Sequence, residues 1–393
     1  MDFAFTKEQE HFRQEVRDFL NTELPSGYRD YVGPTVDDCV AHTENGFQIF
    51  KDMARKFGEK GWLSLNWPKE YGGQDYSTVD YLIFLEEIAR RGSPGFNAVG
   101  AKMLAPTLIR YGTEEQKRQH LVPISRGEEF WCESLSEPEA GSDLGALKTT
   151  AVRDGDFYII NGQKIWSTFA HYSDWCFILA RTDKTATGGR GLSFFLVDLS
   201  TPGVSTAPIN NLNNEPDFSE IFFSDSRIPK SNMLGEENQG WQVAQTLLSY
   251  ERVTIAPISV VFTLIDRLSS YLKDNAHMNS KVVEHKLANL KVEAEIGRLL
   301  GYKIAWLQDR KEATEWHAAM SRLYSTRLFK KAASEAMEIM GYFGMLGKDS
   351  ELSPLQGWVQ HLYLTTRGVT VAAGTAEIQK YIIATKWLGL PRG

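Results

Sequence analysis

Cysteine is scarce in this sequence, with only Cys39, Cys132 and Cys176 among 393 residues. They are widely spaced and odd in number, which argues against the dense disulfide framework of a small secreted domain. Their spacing is not that of zinc ligands, and the eight histidines show no metal-type clustering. We therefore expect a reducing, cytoplasmic environment, no disulfide framework and no metal.

The sequence also lacks an excess of positive charge and any long apolar run. Its net charge of −7 argues against a nucleic-acid scaffold, which needs concentrated positive charge. No apolar run approaches the roughly 20 residues of a membrane span. The N-terminus, MDFAFTKEQE, has no basic region followed by an apolar one, so we expect no secretory signal.

Several common catalytic motifs are missing as well. No G-x-G-x-x-G follows a predicted strand, and there is no P-loop, H-E-x-x-H or G-x-S-x-G elbow. These absences argue against a dinucleotide site of the Rossmann type, a P-loop nucleotide site, a zinc protease and an α/β-hydrolase.

Helical patterns occupy both ends of the chain. Thr6 and Gln9 have capping-box spacing, Tyr81–Arg91 is strongly helical before Gly92, and Thr113 precedes acidic residues as a helix cap. Long helical patterns return from about residue 240 to residue 388.

Short strand patterns fill the middle of the chain, from about Cys132 to Ile228. No long helical pattern separates them, which favours an antiparallel sheet or barrel over a βαβ array. We place the domain boundaries at 1–128 (helical), 129–235 (β) and 236–393 (helical).

Five segments occur in an order that resembles the acyl-CoA dehydrogenase family. They are GTEEQKRQHL (112–121), SEPEAGSD (136–143), NGQKIW (161–166), MLGEENQGW (233–241) and AAGTAEIQK (372–380). The resemblance implies an α+β, mostly helical fold: an N-terminal helical domain, a middle antiparallel β-barrel or sandwich, and a C-terminal helical bundle. It also implies FAD as cofactor and oxidation of an acyl-CoA to the trans-2-enoyl-CoA.

By this resemblance, two segments bind the flavin. Leu135 and Ser136 face its N1/O2 edge, where donors favour the charge of the reduced ring. Trp166 lies over one ring face, and Ser167 and Thr168 reach N5 and O4. The alternatives are a simple Pro/Gly turn for the first segment and a core tryptophan for the second.

Ser142, in the first segment, is implied to sit near the flavin phosphate or the coenzyme A arm. It therefore counts as a candidate for both cofactor and substrate binding.

The catalytic base is not where many family members carry it. They place a glutamate before a Gly-Thr pair late in the chain, where this sequence has Ala373. A branch that includes isovaleryl-CoA dehydrogenase carries the base on the first long helix after the β-domain, before an arginine. Glu251 and Arg252 stand at that place.

The helical pattern around Glu251 supports this interpretation independently. On a continuous helix, five apolar residues fall within about 60° of it. They are Ala244, Leu247, Leu248, Ile255 and Ile258. Low polarity raises the pKa of a carboxyl toward that of a general base. The alternative is a structural glutamate paired with an arginine of another helix.

The resemblance gives one further residue a part in catalysis, Ala373, and two further residues parts in substrate binding, Arg252 and Gly374. The backbone N–H of Ala373 polarises the thioester carbonyl. Gly374 lies beside it, and Arg252 anchors the helix or the ligand.

One departure concerns the Arg-x-x-Phe-Gly stretch, whose arginine touches the flavin pyrophosphate of a neighbouring subunit in the family. Leu272–Met278 (LKDNAHM) lacks it. Four residues on the C-terminal side match positions that meet the adenosine half of the partner's flavin: Glu338, Gly341, Thr375 and Glu377.

The resemblance implies three kinds of partner: an acyl-CoA substrate, an electron-transfer flavoprotein, and further subunits. The subunits form a homotetramer or homodimer, or alternatively a hetero-oligomer. Two other functions stay open: a flavin-binding partner subunit of a hetero-oligomeric dehydrogenase, and a flavin oxidase or monooxygenase on the same fold.

Overall fold

A computed structural model describes residues 4–24, 43–251 and 255–391. The chain divides into two compact units. The helical unit comprises Met1–Cys39, Tyr76–Pro94 and Arg252–Gly393, and the sheet-containing unit comprises Val40–Asp75 and Gly95–Glu251. Cys39 and Arg252 lie outside the described residues.

The α-helices follow one another along the chain as α1 (Lys7–Glu23), α2 (Glu44–Glu59), α3 (Thr78–Arg91), α4 (Ala105–Tyr111), α5 (Glu114–Ser125), α6 (Gly240–Glu251), α7 (Ala256–Asp274), α8 (Lys281–Asp309), α9 (Glu315–Met340), α10 (Trp358–Val369) and α11 (Ala376–Ile382). The strands are β1 (Trp131–Ser134), β2 (Thr150–Asp154), β3 (Phe157–Thr168), β4 (Trp175–Arg181), β5 (Leu192–Asp198), β6 (Val204–Ile209), β7 (Phe218–Pro229) and β8 (Met233–Leu234). The predicted order of helices, β-domain and helices is confirmed.

The helix ends form where their capping residues predict. Thr6 and Thr113 each close a capping box with the glutamine three residues later. Gly92 ends α3 in the left-handed conformation (φ 61°), which glycine adopts without steric strain.

The core of the helical unit lies among α7, α8, α9 and α10. Ile258, Val261 and Leu264 of α7 are buried against small residues of α9 such as Ala332 and Ala336. Because alanine side chains are small, α7 can pack close to α9. This packing removes the apolar face of α7 from water.

The sheet-containing unit carries a mixed sheet in the order β6-β7-β3-β2-β4-β5-β8. Most neighbours are antiparallel, as expected, but β4 pairs in parallel with β1 and, at one point, with β2. The parallel pairs arise because the β2–β3 hairpin intervenes between β1 and β4. Cys132 and Cys176 face each other across β1 and β4 as buried free thiols.

The single continuous helix on which the predicted apolar stripe depends is interrupted, because Ile255 lies in neither α6 nor α7. α6 ends at Glu251, and α7 begins at Ala256 with Pro257 in its first turn. Proline is favoured there because its missing N–H would have no helical acceptor. Ile255 and Ile258 therefore do not extend the stripe formed by Ala244 and Leu247. No helix in the described part of the chain is both long enough and apolar enough to cross a membrane.

Candidate functional site

The two segments singled out in the sequence meet inside the sheet-containing unit. The hydroxyls of Ser134, at the end of β1, and Ser167, near the end of β3, are 2.9 Å apart. The N–H of Ile165 donates to the carbonyl of Ser136 at 3.0 Å. Residues 134–137 lead from the end of β1 into the turn closed by Glu137 and Ala140, and we call them the 134–137 turn. This turn and the end of β3 are thus joined by both side-chain and backbone hydrogen bonds.

Trp166 projects from a distortion in β3. The β3–β7 register shifts between Lys164 and Ser167, which is the signature of a β-bulge. Trp166 there has φ 65°, a left-handed conformation that strains a bulky residue. Its side chain is 57% exposed. The alternative of a core tryptophan is therefore wrong.

The residues next to Trp166 divide between the interior and the surface. Ser167 is fully buried, with its hydroxyl held by Ser134, whereas Thr168 is half-buried. Leu135 is buried and Ser136 is partly exposed, and Ser142 is exposed on the loop before Leu144–Ala146.

A buried ion pair supports this turn, and the sequence interpretation missed it. Lys164 has a fully buried side chain whose ammonium lies 2.8 Å from Glu137 Oε1. Burial lowers the pKa of Lys164, while Glu137 opposes that shift. Burial alone would raise the pKa of Glu137, but the Lys164 charge and hydrogen bonds lower it. The sequence offered one indication of their importance: Glu137 and Lys164 lie inside two of the segments that resemble the family, 136–143 and 161–166.

In the helical unit, Ala373 and Gly374 form a left-handed connection before α11, with φ 55° and 88°. The side-chain amide of Gln379 donates to both of their carbonyls, at 3.2 and 3.0 Å. Arg322 donates to the carbonyl of Ala372 at 3.0 Å. Within the described part of the chain, the N–H of Ala373 donates to no acceptor.

The other candidates of the helical unit lie on its surface or at helix ends. Thr375 caps α11, since its hydroxyl accepts from Ile378 N. Gly341 ends α9. The exposed Glu338 pairs with Lys286, which offsets the negative charge that would repel a phosphate, and Glu377 is exposed.

The base candidate is the last residue of α6. Val243, Ala244 and Leu247 form the buried face of that helix. The side chain of Glu251 and the whole of Arg252 lie outside the described residues, so both remain predictions.

The segment that lacks the family arginine runs from the last turn of α7 into a short turn, Ala276–Met278. The charged residues on it are Lys273 and Asp274, with His277 in the turn. No group of metal-ligating side chains occurs among residues 4–24, 43–251 and 255–391.

Models of three domains match nearly the whole chain. The acyl-CoA dehydrogenase N-terminal domain matches residues 6–128, the middle domain residues 132–226, and the C-terminal domain residues 238–388. The chain belongs to the acyl-CoA dehydrogenase family. It is thus an oxidoreductase acting on acyl-CoA, in a family of FAD-dependent flavoproteins.

Similar proteins cover the chain from end to end. Acyl-CoA dehydrogenase FadE26 of Mycobacterium tuberculosis is 33% identical and covers 100% of this chain and 99% of its own. A structure described as "Tcur3481-Tcur3483 steroid ACAD" is 31% identical with a TM-score of 0.91, covering 100% of each chain. The ChsE4-ChsE5 complex from Mycobacterium tuberculosis is 32% identical with a TM-score of 0.88, again covering 100% of each chain.

The sheet-containing unit of this acyl-CoA dehydrogenase has features that fit a flavin. Trp166 offers an exposed aromatic ring, suited to the face of a planar ligand. Among the described residues, the Ser136 N–H has no acceptor, and it lies on the turn that β3 holds in place. A polar ring edge would satisfy that donor.

Proposed function

We propose that this chain catalyses α,β-dehydrogenation of an acyl-CoA to the trans-2-enoyl-CoA, with Glu251 as the base. The observation that carries the proposal is the junction of the 134–137 turn with the end of β3. That junction presents an exposed tryptophan and an open backbone donor together.

Four residues of the junction would hold the cofactor. The bound FAD would supply the oxidising power, as the acceptor of the β-hydride. Leu135 and Ser136 present backbone groups to its N1/O2 edge, Trp166 covers one ring face, and Thr168 reaches the O4 side. The inward-facing hydroxyl of Ser167 positions the strand through Ser134. Ser142, exposed on its loop, is available to a phosphate.

Glu251 removes the α-proton of the thioester in this proposal. Leu247 and Ala244 precede it by four and seven residues on α6, so they share its side of the helix. Both are buried, which gives that side an apolar character. Arg252 follows as an anchor for the helix or the ligand.

Ala373 contributes its backbone and lacks a carboxylate of its own. Its N–H, open in the described structure, would donate to the thioester carbonyl oxygen and acidify the α-proton. Gln379 and Arg322 fix the surrounding carbonyls, so the donor is held in place before substrate binds. A donor that is already in position stabilises the developing negative charge without any rearrangement of the protein during the reaction.

The name of a similar structure suggests which acyl group to test. That structure, with a TM-score of 0.91, is described as a steroid enzyme. We therefore propose a bulky, ring-bearing acyl chain for this protein. Anaerobic titration with acyl-CoAs of increasing bulk, following loss of the oxidised flavin absorbance, tests the reaction and ranks its substrates.

One observation favours a second arrangement, in which the chain works with a different partner subunit. Leu272–Met278 lacks the arginine that meets a neighbour's flavin pyrophosphate in the family. The two solved structures described above carry paired names. In that case the purified chain holds little FAD and gains it on mixing with its partner, whereas a homo-oligomer holds FAD alone.

Glu251→Gln tests the base directly. With FAD bound, that variant should no longer bleach on addition of acyl-CoA, and bleaching at the normal rate would remove Glu251 from the reaction. Rapid reaction of the reduced wild-type protein with oxygen would favour an oxidase over a dehydrogenase that passes electrons to an electron-transfer flavoprotein.

A further inference from the structure

Lys164 is a lysine with no exposed side-chain surface, held inside the sheet-containing unit. Its ammonium donates to the carboxylate of Glu137 at 2.8 Å and to the carbonyl oxygen of Leu135 at 3.1 Å. Lysine is rarely buried in this way, because the charge loses its hydration unless partners replace it. The two partners here belong to the 134–137 turn.

Glu137 is itself held by the chain that follows the turn. Its carboxylate accepts from the N–H of Lys148 at 2.6 Å and from the N–H of Thr149 at 2.9 Å. The ammonium, the two N–H groups and the carboxylate thus satisfy one another in a closed network. Such a network fixes geometry because no member can move without leaving a buried group unpaired.

The bond to Leu135 sets the direction of a neighbouring donor. In a trans peptide the carbonyl of one residue and the N–H of the next point in opposite directions. By holding the Leu135 carbonyl inward, Lys164 turns the N–H of Ser136 outward. That N–H has no acceptor within the described residues.

We propose that Lys164, held by Glu137, is a positioning residue that aims the Ser136 N–H at the pyrimidine edge of the flavin. The inference rests on the flavin placement in the proposed function. It adds a consequence: the oriented donor favours the negative charge of the reduced ring over the neutral oxidised one. Loss of Lys164 therefore weakens the binding of reduced FAD more than the binding of oxidised FAD.

A buried ion pair contributes little net stability to a fold, so the effect of Lys164 on stability can be separated from its effect on the flavin. Removing one partner leaves an unpaired buried charge and lowers stability, whereas replacing both partners often leaves stability almost unchanged. Lys164→Met alone should lower stability. The double variant Lys164→Met/Glu137→Gln should recover part of the lost stability, because no buried charge is left unpaired and the glutamine carbonyl can still accept from one of the two backbone N–H groups. Neither variant can hold the Leu135 carbonyl.

Lys148→Met supplies the matched control. Lys148 lies in the same segment, and its side chain is 75% exposed and pairs with Glu139 on the surface. The substitution removes the same charge and adds the same side chain as Lys164→Met, but it leaves Leu135 untouched.

The experiment measures the midpoint potential of bound FAD in all four proteins, beside unfolding of their apo forms. We expect a more negative potential in the single and double Lys164 variants, equivalent to reduced FAD binding about tenfold weaker relative to oxidised FAD. Lys148→Met should match wild type. A folded double variant with wild-type potential overturns the proposal, as does an equal shift in Lys148→Met.

The readout is independent of turnover, so it separates this inference from the proposed reaction. A wild-type protein that binds FAD but is not bleached by any acyl-CoA contradicts the reaction alone. A wild-type protein that takes up no FAD, alone or with a partner, contradicts the flavin placement and this inference with it. If Lys164→Met fails to fold, the double variant decides the outcome.

Discussion

Ser134 and Ser167 share a hydrogen bond of 2.9 Å between two fully buried hydroxyls, although 33 residues separate them. The bond fixes β3 just past the bulge that carries Trp166. The buried Ser134–Ser167 bond thus holds the strand next to Trp166, whose ring is exposed and whose backbone is in a strained conformation. Strain of this kind persists only where surrounding structure enforces it.

Trp166 gives the first prediction. Trp166→Ala and Trp166→Gly both remove the ring, but only glycine adopts φ 65° freely. We expect both variants to bind FAD more weakly than wild type. In urea unfolding of the apo proteins, the glycine variant should be more stable than the alanine variant by about 0.5–1 kcal/mol. Equal stability of the two would show that the conformation carries no strain.

Gly374 gives the second prediction. It has φ 88°, and a Cβ placed there would lie 2.8 Å from the Gln379 amide nitrogen that holds this connection. We expect Gly374→Ala to lower the free energy of unfolding by about 1–2 kcal/mol. It should also lower kcat/KM more than tenfold, because the Ala373 N–H is displaced.

Gly368→Ala is the matched control for that substitution. Gly368 lies within α10, and a Cβ there meets nothing within 4 Å. Alanine is favoured over glycine inside a helix, so this variant should be slightly more stable and equally active. Loss of activity in both variants would mean that the effect is not specific to the Ala373 connection.

Glu86 gives a prediction about pH. It is fully buried on α3 and accepts from Arg298 at 2.7 Å, Tyr302 at 2.6 Å and Arg13 at 2.9 Å. Burial alone raises the pKa of this carboxyl, but the surrounding arginines lower it below its usual value of 4.5. A lowered pKa means that the stabilisation is present above about pH 4.5 and is lost as pH falls through the folded-state pKa.

Unfolding measured from pH 7 to pH 3 should therefore show a loss of stability in wild type that is smaller in Glu86→Gln. At pH 7 this variant should be less stable by about 3–5 kcal/mol, the usual effect of breaking a buried pair. Glu295→Gln is the control, because Glu295 is half-exposed and 3.9 Å from Arg298. It should change stability by less than about 1 kcal/mol. Identical pH profiles in wild type and Glu86→Gln would show that the ionised Glu86 carboxylate does not stabilise the fold.

Local signals predicted much of this fold because they act over a few residues. Thr6, Gly92 and Thr113 end or begin helices as their side chains and backbone preferences dictate. The order of helices and strands followed from periodicity. The parallel pairing of β1 with β4 was not predictable, since strand neighbours depend on contacts between distant segments.

The sequence predicted which segments form the candidate site, but not which side chains of those segments point inward or pair with each other. Lys164 and Glu137 resemble ordinary surface residues in the sequence, and their pairing across 27 residues is visible only in the fold. The inward direction of Ser167 depends on the bulge at Trp166. The predicted apolar stripe around Glu251 wrongly included Ile255 and Ile258, because a new helix begins at Ala256 with Pro257 in its first turn.

Stopped-flow bleaching of bound FAD by acyl-CoA, in the absence of oxygen, measures whether Glu251 is the base. The matched control is Glu236→Gln, since Glu236 is exposed just before α6. We expect Glu251→Gln to retain FAD and bleach about a thousandfold more slowly than wild type, with Glu236→Gln unchanged. Bleaching of Glu251→Gln at the wild-type rate would show that another group removes the α-proton.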